Sequence, residues 1–69
     1  ANQVYSLEIL SKNKLDLIKN NKNLINLYFN RDNNEYSYRL IFRNKKELYQ
    51  TKSSLESISD IISVKVDLN

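Results

Sequence analysis

Apolar and polar residues alternate in four stretches of this chain, and apolar residues recur at helical spacing in two others. In "QVYSLEIL", Tyr5, Leu7 and Ile9 fall on one face and Ser6 and Glu8 on the other, the period of a half-buried strand. In "NKLDLIKNNKN", Asn13 stands ahead of Asp16 with the spacing of an N-cap and an acid in the first helical turn, and Leu15 and Ile18 form a short apolar stripe. Lys12, Asp16 and Lys19 take the opposite side. Lys22 would rotate into the stripe if the helix continued, so the helix is expected to end among Asn20, Asn21 and Asn23, with Asn supplying a left-handed C-cap in the absence of Gly.

"LINLYFNR" alternates again, with Ile25, Leu27 and Phe29 on one side, and "EYSYRLIFR" does so with Tyr36, Tyr38, Leu40 and Phe42. A two-residue turn at Asn33-Asn34 would join them, because Asn tolerates the positive φ such a turn needs. That turn predicts Phe29 opposite Tyr38, Leu27 opposite Leu40 and Ile25 opposite Phe42, with outward Tyr28 meeting Arg39 and outward Asn30 meeting Ser37. A slip of one residue would put Leu and Phe opposite polar residues on the wrong face. "NKKELYQTKSSLESIS" then reads as a helix, with Asn44 as N-cap, Glu47 at the third helical position, and Leu48, Thr51, Leu55 and Ile58 as its stripe. Lys46, Gln50, Ser53 and Ser57 form its wet side. The closing "IISVKVDL" places Ile62, Val64, Val66 and Leu68 on one face of a last strand.

The predicted order is β-α-β-β-α-β in one domain over residues 1–69, an α+β chain. Handedness and packing close this order into a ferredoxin-like four-stranded antiparallel sheet, order 4-1-3-2, with two helices on one face. RNA-recognition motifs share that topology and stack bases on rings of their third strand, on the helix-free side. Their motif sets its stacking rings at one parity and its core residues at the other. Here Tyr36, Tyr38, Leu40 and Phe42 share one parity, which commits the rings to the helix-covered side and argues against base stacking on them.

The helix-free face is expected to carry Ser6, Glu8 and Leu10, then Asn26, Tyr28 and Asn30, then Ser37, Arg39, Ile41 and Arg43, and finally Ser63, Lys65 and Asp67. Glu8 is expected to lie near Arg39 and Lys65. Leu10, Tyr28, Arg39 and Ile41 are the candidate self-association surface on this face. Lys12, Lys19, Arg39, Arg43 and Lys65 are the candidate phosphate contacts if the chain instead binds nucleic acid.

Composition narrows the chemistry. The chain has 69 residues, so it holds a single thin core and is marginal alone. It contains no Cys and no His, which removes disulfides, thiol catalysis, thiolate ligands and zinc or iron–sulfur centres. Without Gly there is no Gly-rich phosphate loop. Asp32-Asn33-Asn34 fails as a calcium loop, because Tyr36 and Arg43 fall at the fifth and twelfth positions, where oxygen ligands belong. No catalytic, metal or cofactor site is expected. Eleven Lys and Arg against eight Asp and Glu give a net charge of +3, with both signs interspersed rather than blocked. The bias to Asn, Lys, Ile and Tyr over Gly, Pro and Ala is the signature of an AT-rich genome. Ala1 with no preceding Met reads as a remnant on a domain excised from a longer protein. No apolar run reaches 18 residues, so any membrane part is expected outside this segment.

The closing "LESISDIISVKVDL" resembles the end of ACT-like regulatory domains, in which a helix of form L-x-x-I runs through a turn into V-x-x-V-x-L. Leu55, Ile58, Val64, Val66 and Leu68 take those parts, with spacing one residue looser. The resemblance implies a non-catalytic regulatory or oligomerisation module, homodimeric or docked on the rest of its parent. It extends to the soluble C-terminal pieces of bacterial membrane proteins of the MgtC/SapB group, which would imply a cytoplasmic, transport-associated tail. Amino-acid-binding ACT domains carry a glycine after the first strand. Here Ser11-Lys12-Asn13 stands there, leaving small-molecule sensing as a further alternative beside nucleic-acid binding.

Overall fold

The computed structural model describes residues 3–69, and Ala1, read above as a remnant, lies outside them. The elements are β1 (Tyr5–Ser11), α1 (Asp16–Lys19), β2 (Leu24–Asn30), β3 (Glu35–Phe42), α2 (Lys45–Glu56) and β4 (Ile61–Asp67). All strand pairs are antiparallel and the sheet order is β2-β3-β1-β4, the expected order read from the other edge. Both helices pack on one face, since Ile18 of α1 and Leu48 and Leu55 of α2 share a single buried cluster with the sheet. Among the described residues no helix is long and apolar enough to cross a membrane.

The core is built on the two central strands. Tyr5 stands opposite Phe42, Leu7 opposite Leu40, Ile9 opposite Tyr38 and Ser11 opposite Tyr36, so one alternating set on each strand faces the helices. Leu7, Ile9, Tyr38, Leu40 and Phe42 are buried there against Ile18, Leu48 and Leu55. Each such aliphatic side chain contributes about 1.5–3 kcal/mol through the surface it removes from water. Val64, Val66 and Leu68 pack on the same cluster from the end of the chain.

Burying a tyrosine requires a partner for its hydroxyl. The Tyr38 hydroxyl accepts the Leu15 N–H at 3.0 Å, donates to the Asn13 carbonyl at 3.4 Å and lies 3.2 Å from the Ser11 hydroxyl. Ser11, itself buried, donates to the Asn13 carbonyl at 2.6 Å. This knot corrects the expected start of the first helix. Asn13 does not cap it; its carbonyl is held by the two hydroxyls, and α1 begins only after Leu15, with no side-chain cap. The expected left-handed Asn cap does not form either, Asn20 having φ of −95°. The Asn21 side chain instead accepts the Asn23 N–H at 2.7 Å, and the Leu24 N–H reaches the Asn21 carbonyl at 3.1 Å, closing the turn without positive φ.

The hairpin keeps the expected parity but shifts register by two. Phe29 faces Tyr36, Leu27 faces Tyr38, Tyr28 faces Ser37, Asn26 faces Arg39 and Asn30 faces Glu35. The two-residue turn would have set Asp32 directly against Glu35, and like charges opposite one another are unfavourable. A longer loop over residues 31–34 removes that pair. Asn30 accepts the Asp32 N–H at 3.0 Å, and of the loop residues only Asn34 takes positive φ, at 57°.

Both edge strands begin with a bulge, and each corrects the expected inward set. Leu24 rather than Ile25 stands opposite Leu40, and Ile61 rather than Ile62 stands opposite Ser11. Leu24 and Ile61 pack on the core while Ile25 and Ile62 are 57% and 42% exposed. Helix α2 starts as expected, with the Asn44 side chain accepting the N–H groups of Lys46 at 2.8 Å and Glu47 at 3.2 Å. Ile58 of its expected stripe lies just past the helix end and still packs on the core.

Tyr38→Phe keeps the ring and strands the Leu15 N–H. It is expected to lower stability by about 1–2 kcal/mol, read as a lower urea midpoint at unchanged m; an unaltered midpoint would show that the hydroxyl knot is not a stabilising element.

Candidate functional site

The helix-free face is arranged in rows across the strands. One row runs Tyr28, Ser37, Leu10, Ser63; the next Asn26, Arg39, Glu8, Lys65; the next Ile41, Ser6, Asp67. Of the candidate association residues, Tyr28 and Arg39 are exposed and Leu10 and Ile41 half-buried. All four share the face. Ser37 nevertheless separates Tyr28 from Leu10 by two strand spacings, roughly 10 Å, and the charged row separates Ile41 from both. Glu8 makes an ion pair with Arg39 and stands directly opposite Lys65 on its other side. A polar band therefore crosses the middle of this face.

The candidate phosphate contacts do not form a stripe. Arg39 and Lys65 flank Glu8, whose charge offsets one of theirs. Lys12 follows the end of β1 and Arg43 follows the end of β3, which runs antiparallel to it, so the two lie at opposite ends of the sheet. Lys19 closes α1 in the helical layer. The rings of the third strand face the helices: Tyr38 is buried, and Tyr36 is half-buried with its centroid 4.8 Å from that of Phe29.

Leu27 and Phe29 of β2 hold the expected inward parity but are 37% and 39% exposed, while Tyr28 on the opposite face is 61% exposed. The cause is the length of α1. Four residues of helix span about 6 Å, whereas the seven of β2 span about 23 Å, and α1 delivers only Ile18 to the buried core. The 12-residue α2 packs over β1, β3 and β4 instead. β2 is thus an edge strand with apolar side chains open on both faces, and no charged residue lies between Lys22 and Arg31. The alternation along "LINLYFNR" signals a strand; its edge position and thin cover follow from sheet order and from the hydroxyl knot that shortens α1.

Between the helices an open groove of about 250 Å³ has Leu17, Ile18 and Leu55 along it and Asn21, Gln50 and Ser54 at its polar side. None of these side chains ionises, so the groove has no counter-charge for a carboxylate or ammonium ligand. A second recess at the end of the sheet holds Lys22, Arg43 and Glu47, with Lys22 and Glu47 at 3.9 Å. Among the described residues no three His, Cys, Asp or Glu side chains gather as a metal site. Comparison of the chain with protein-family models, with curated proteins and with solved structures returns no match.

Because Glu8 and Arg39 are each about half exposed, a double-mutant cycle with Glu8→Gln and Arg39→Gln is expected to give a coupling of about 0.2–1 kcal/mol that falls as salt is added. A coupling above that range and indifferent to salt would mean the pair is held out of solvent.

Proposed function

We propose that this chain is a non-catalytic regulatory or oligomerisation module of a larger protein, with a ferredoxin-like, ACT-like fold, and that it works through the edge of β2. The observation that carries this reading is the surface of that strand. Ile25, Leu27, Tyr28 and Phe29 are all exposed, next to an unpaired row of backbone donors and acceptors. Natural edge strands are ordinarily blunted by charge or cover, because an open apolar edge recruits another strand. The opposite edge has that protection: β4 carries Lys65 and Asp67.

A domain of this size gains burial by association that its own core lacks. The resemblance of the closing segment to ACT-like domains supports the regulatory part of the reading. It also supports a cytoplasmic setting as the tail of a transport-associated membrane protein. The scattered cations, with Arg39 committed to Glu8, favour a protein partner over a polyphosphate.

Sedimentation equilibrium is expected to show an apparent mass rising with concentration above the 8.2 kDa of the monomer. Leu27→Lys or Phe29→Lys is expected to hold the chain at monomer mass with its circular dichroism unchanged. A wild-type chain that stays at monomer mass at every concentration up to about 1 mM, beyond the weak end of small interfaces, would overturn the reading.

A further inference from the structure

Resting on that association reading, we propose that the partner of the β2 edge is a second copy of this chain, paired antiparallel about a two-fold axis through Tyr28. The part of β2 that runs regularly against β3, past the bulge at Leu24 and Ile25, is Asn26-Leu27-Tyr28-Phe29-Asn30. This segment reads nearly the same in both directions: Asn, large apolar, Tyr, large apolar, Asn. An isologous interface requires that property, since each residue must meet the symmetry-related position of the same patch.

About a two-fold at Tyr28, Leu27 of one copy faces Phe29 of the other, and this contact occurs twice. Asn26 faces Asn30 twice, and Tyr28 faces itself. Leu27 and Phe29 both lie on the helix side, so the apolar surface that α1 leaves uncovered in one copy meets the same surface in the other. A residue-centred axis fits either hydrogen-bonding phase of an antiparallel ladder. Electrostatics does not oppose it: beyond the ladder Arg31 would face Ile25 and Asp32 would face Leu24, so no like charges stand opposite.

Closure follows from the contrast between the edges. β4 has Lys65 and Asp67 where β2 has none, so pairing through β2 consumes the open edge of both copies and leaves the charged edges outside. That arrangement ends at two copies rather than propagating. The contact is small compared with the roughly 800 Å² per partner of a standard interface, so the dimer is weak, with dissociation in the range of about 10–1,000 µM.

The absence of Cys makes single-cysteine variants unambiguous probes. Tyr28→Cys brings its two Cα atoms to about 4.5–5.5 Å across the axis, inside the range a disulfide spans. It is expected to form a covalent dimer at least about tenfold faster than Ile62→Cys, because pairing raises the effective thiol concentration. A mixture of Leu27→Cys and Phe29→Cys is expected to yield mainly the heterodisulfide. If wild type dimerises but Ile62→Cys cross-links as fast as Tyr28→Cys, or the mixture gives mainly the two homodisulfides, the pairing proposed here is wrong while association stands. A wild-type chain that remains monomeric overturns both. Because Tyr28 lies in solvent, loss of its ring leaves the core intact, and amide exchange provides a variant-free check: protection of Asn26–Asn30 should increase with concentration.

Discussion

The ladder between β1 and β3 determines which side of the sheet is dry. With Leu7 opposite Leu40 and Ile9 opposite Tyr38, every second residue of the two central strands points at the helices. A one-residue slip would turn the inward set of one strand to the other face, either Leu7 and Ile9 or Leu40 and Phe42. The Tyr38 hydroxyl adds a polar lock to this apolar register. It reaches across the core to the segment joining β1 to α1, where Leu15, Asn13 and Ser11 meet it. One side chain thereby ties a central strand to the first connection, and no buried side-chain polar atom among the described residues is left without a partner.

That lock has a consequence at the far edge. Holding residues 11–15 against Tyr38 delays the start of α1 to Asp16, and the turn built on Asn21 ends it at Lys19. One turn of helix covers only part of a seven-residue strand, so the inward side chains Leu27 and Phe29 are left half in water. The surface most suited to association therefore arises from the economy of the core beside it. The helix-free face, by contrast, has its apolar side chains divided by the row through Arg39 and Glu8, and makes a poorer apolar contact despite its larger extent.

Parity could be read along the chain because a strand's side chains alternate with a period of two, whatever the strand pairs with. The inward set of β1, β3 and most of β4, the Asn44 cap and the α2 stripe all followed from local pattern alone. The placement of Glu8 near Arg39 and Lys65 needed the strand order as well as parity. Of the candidate surface, Leu10, Tyr28, Arg39 and Ile41 were correctly assigned to one face, yet their separation by Ser37 and the charged row depended on register, which alternation does not specify to within two residues.

What the chain determined by itself was which residues share a face, since alternation is a local property. What only the tertiary structure decided was where the ladders begin and how much of each strand is covered. In Leu24-Ile25 and Ile61-Ile62 two adjacent apolar residues satisfy both parities, so the choice of inward residue fell to the neighbouring strand through a bulge. The start of α1 is tied by the Leu15 N–H to the Tyr38 hydroxyl, 23 residues along the chain, and the inward residues of β2 and β4 are chosen by the strands they pair with. Such long-range pairings leave no periodic trace in the segments they join.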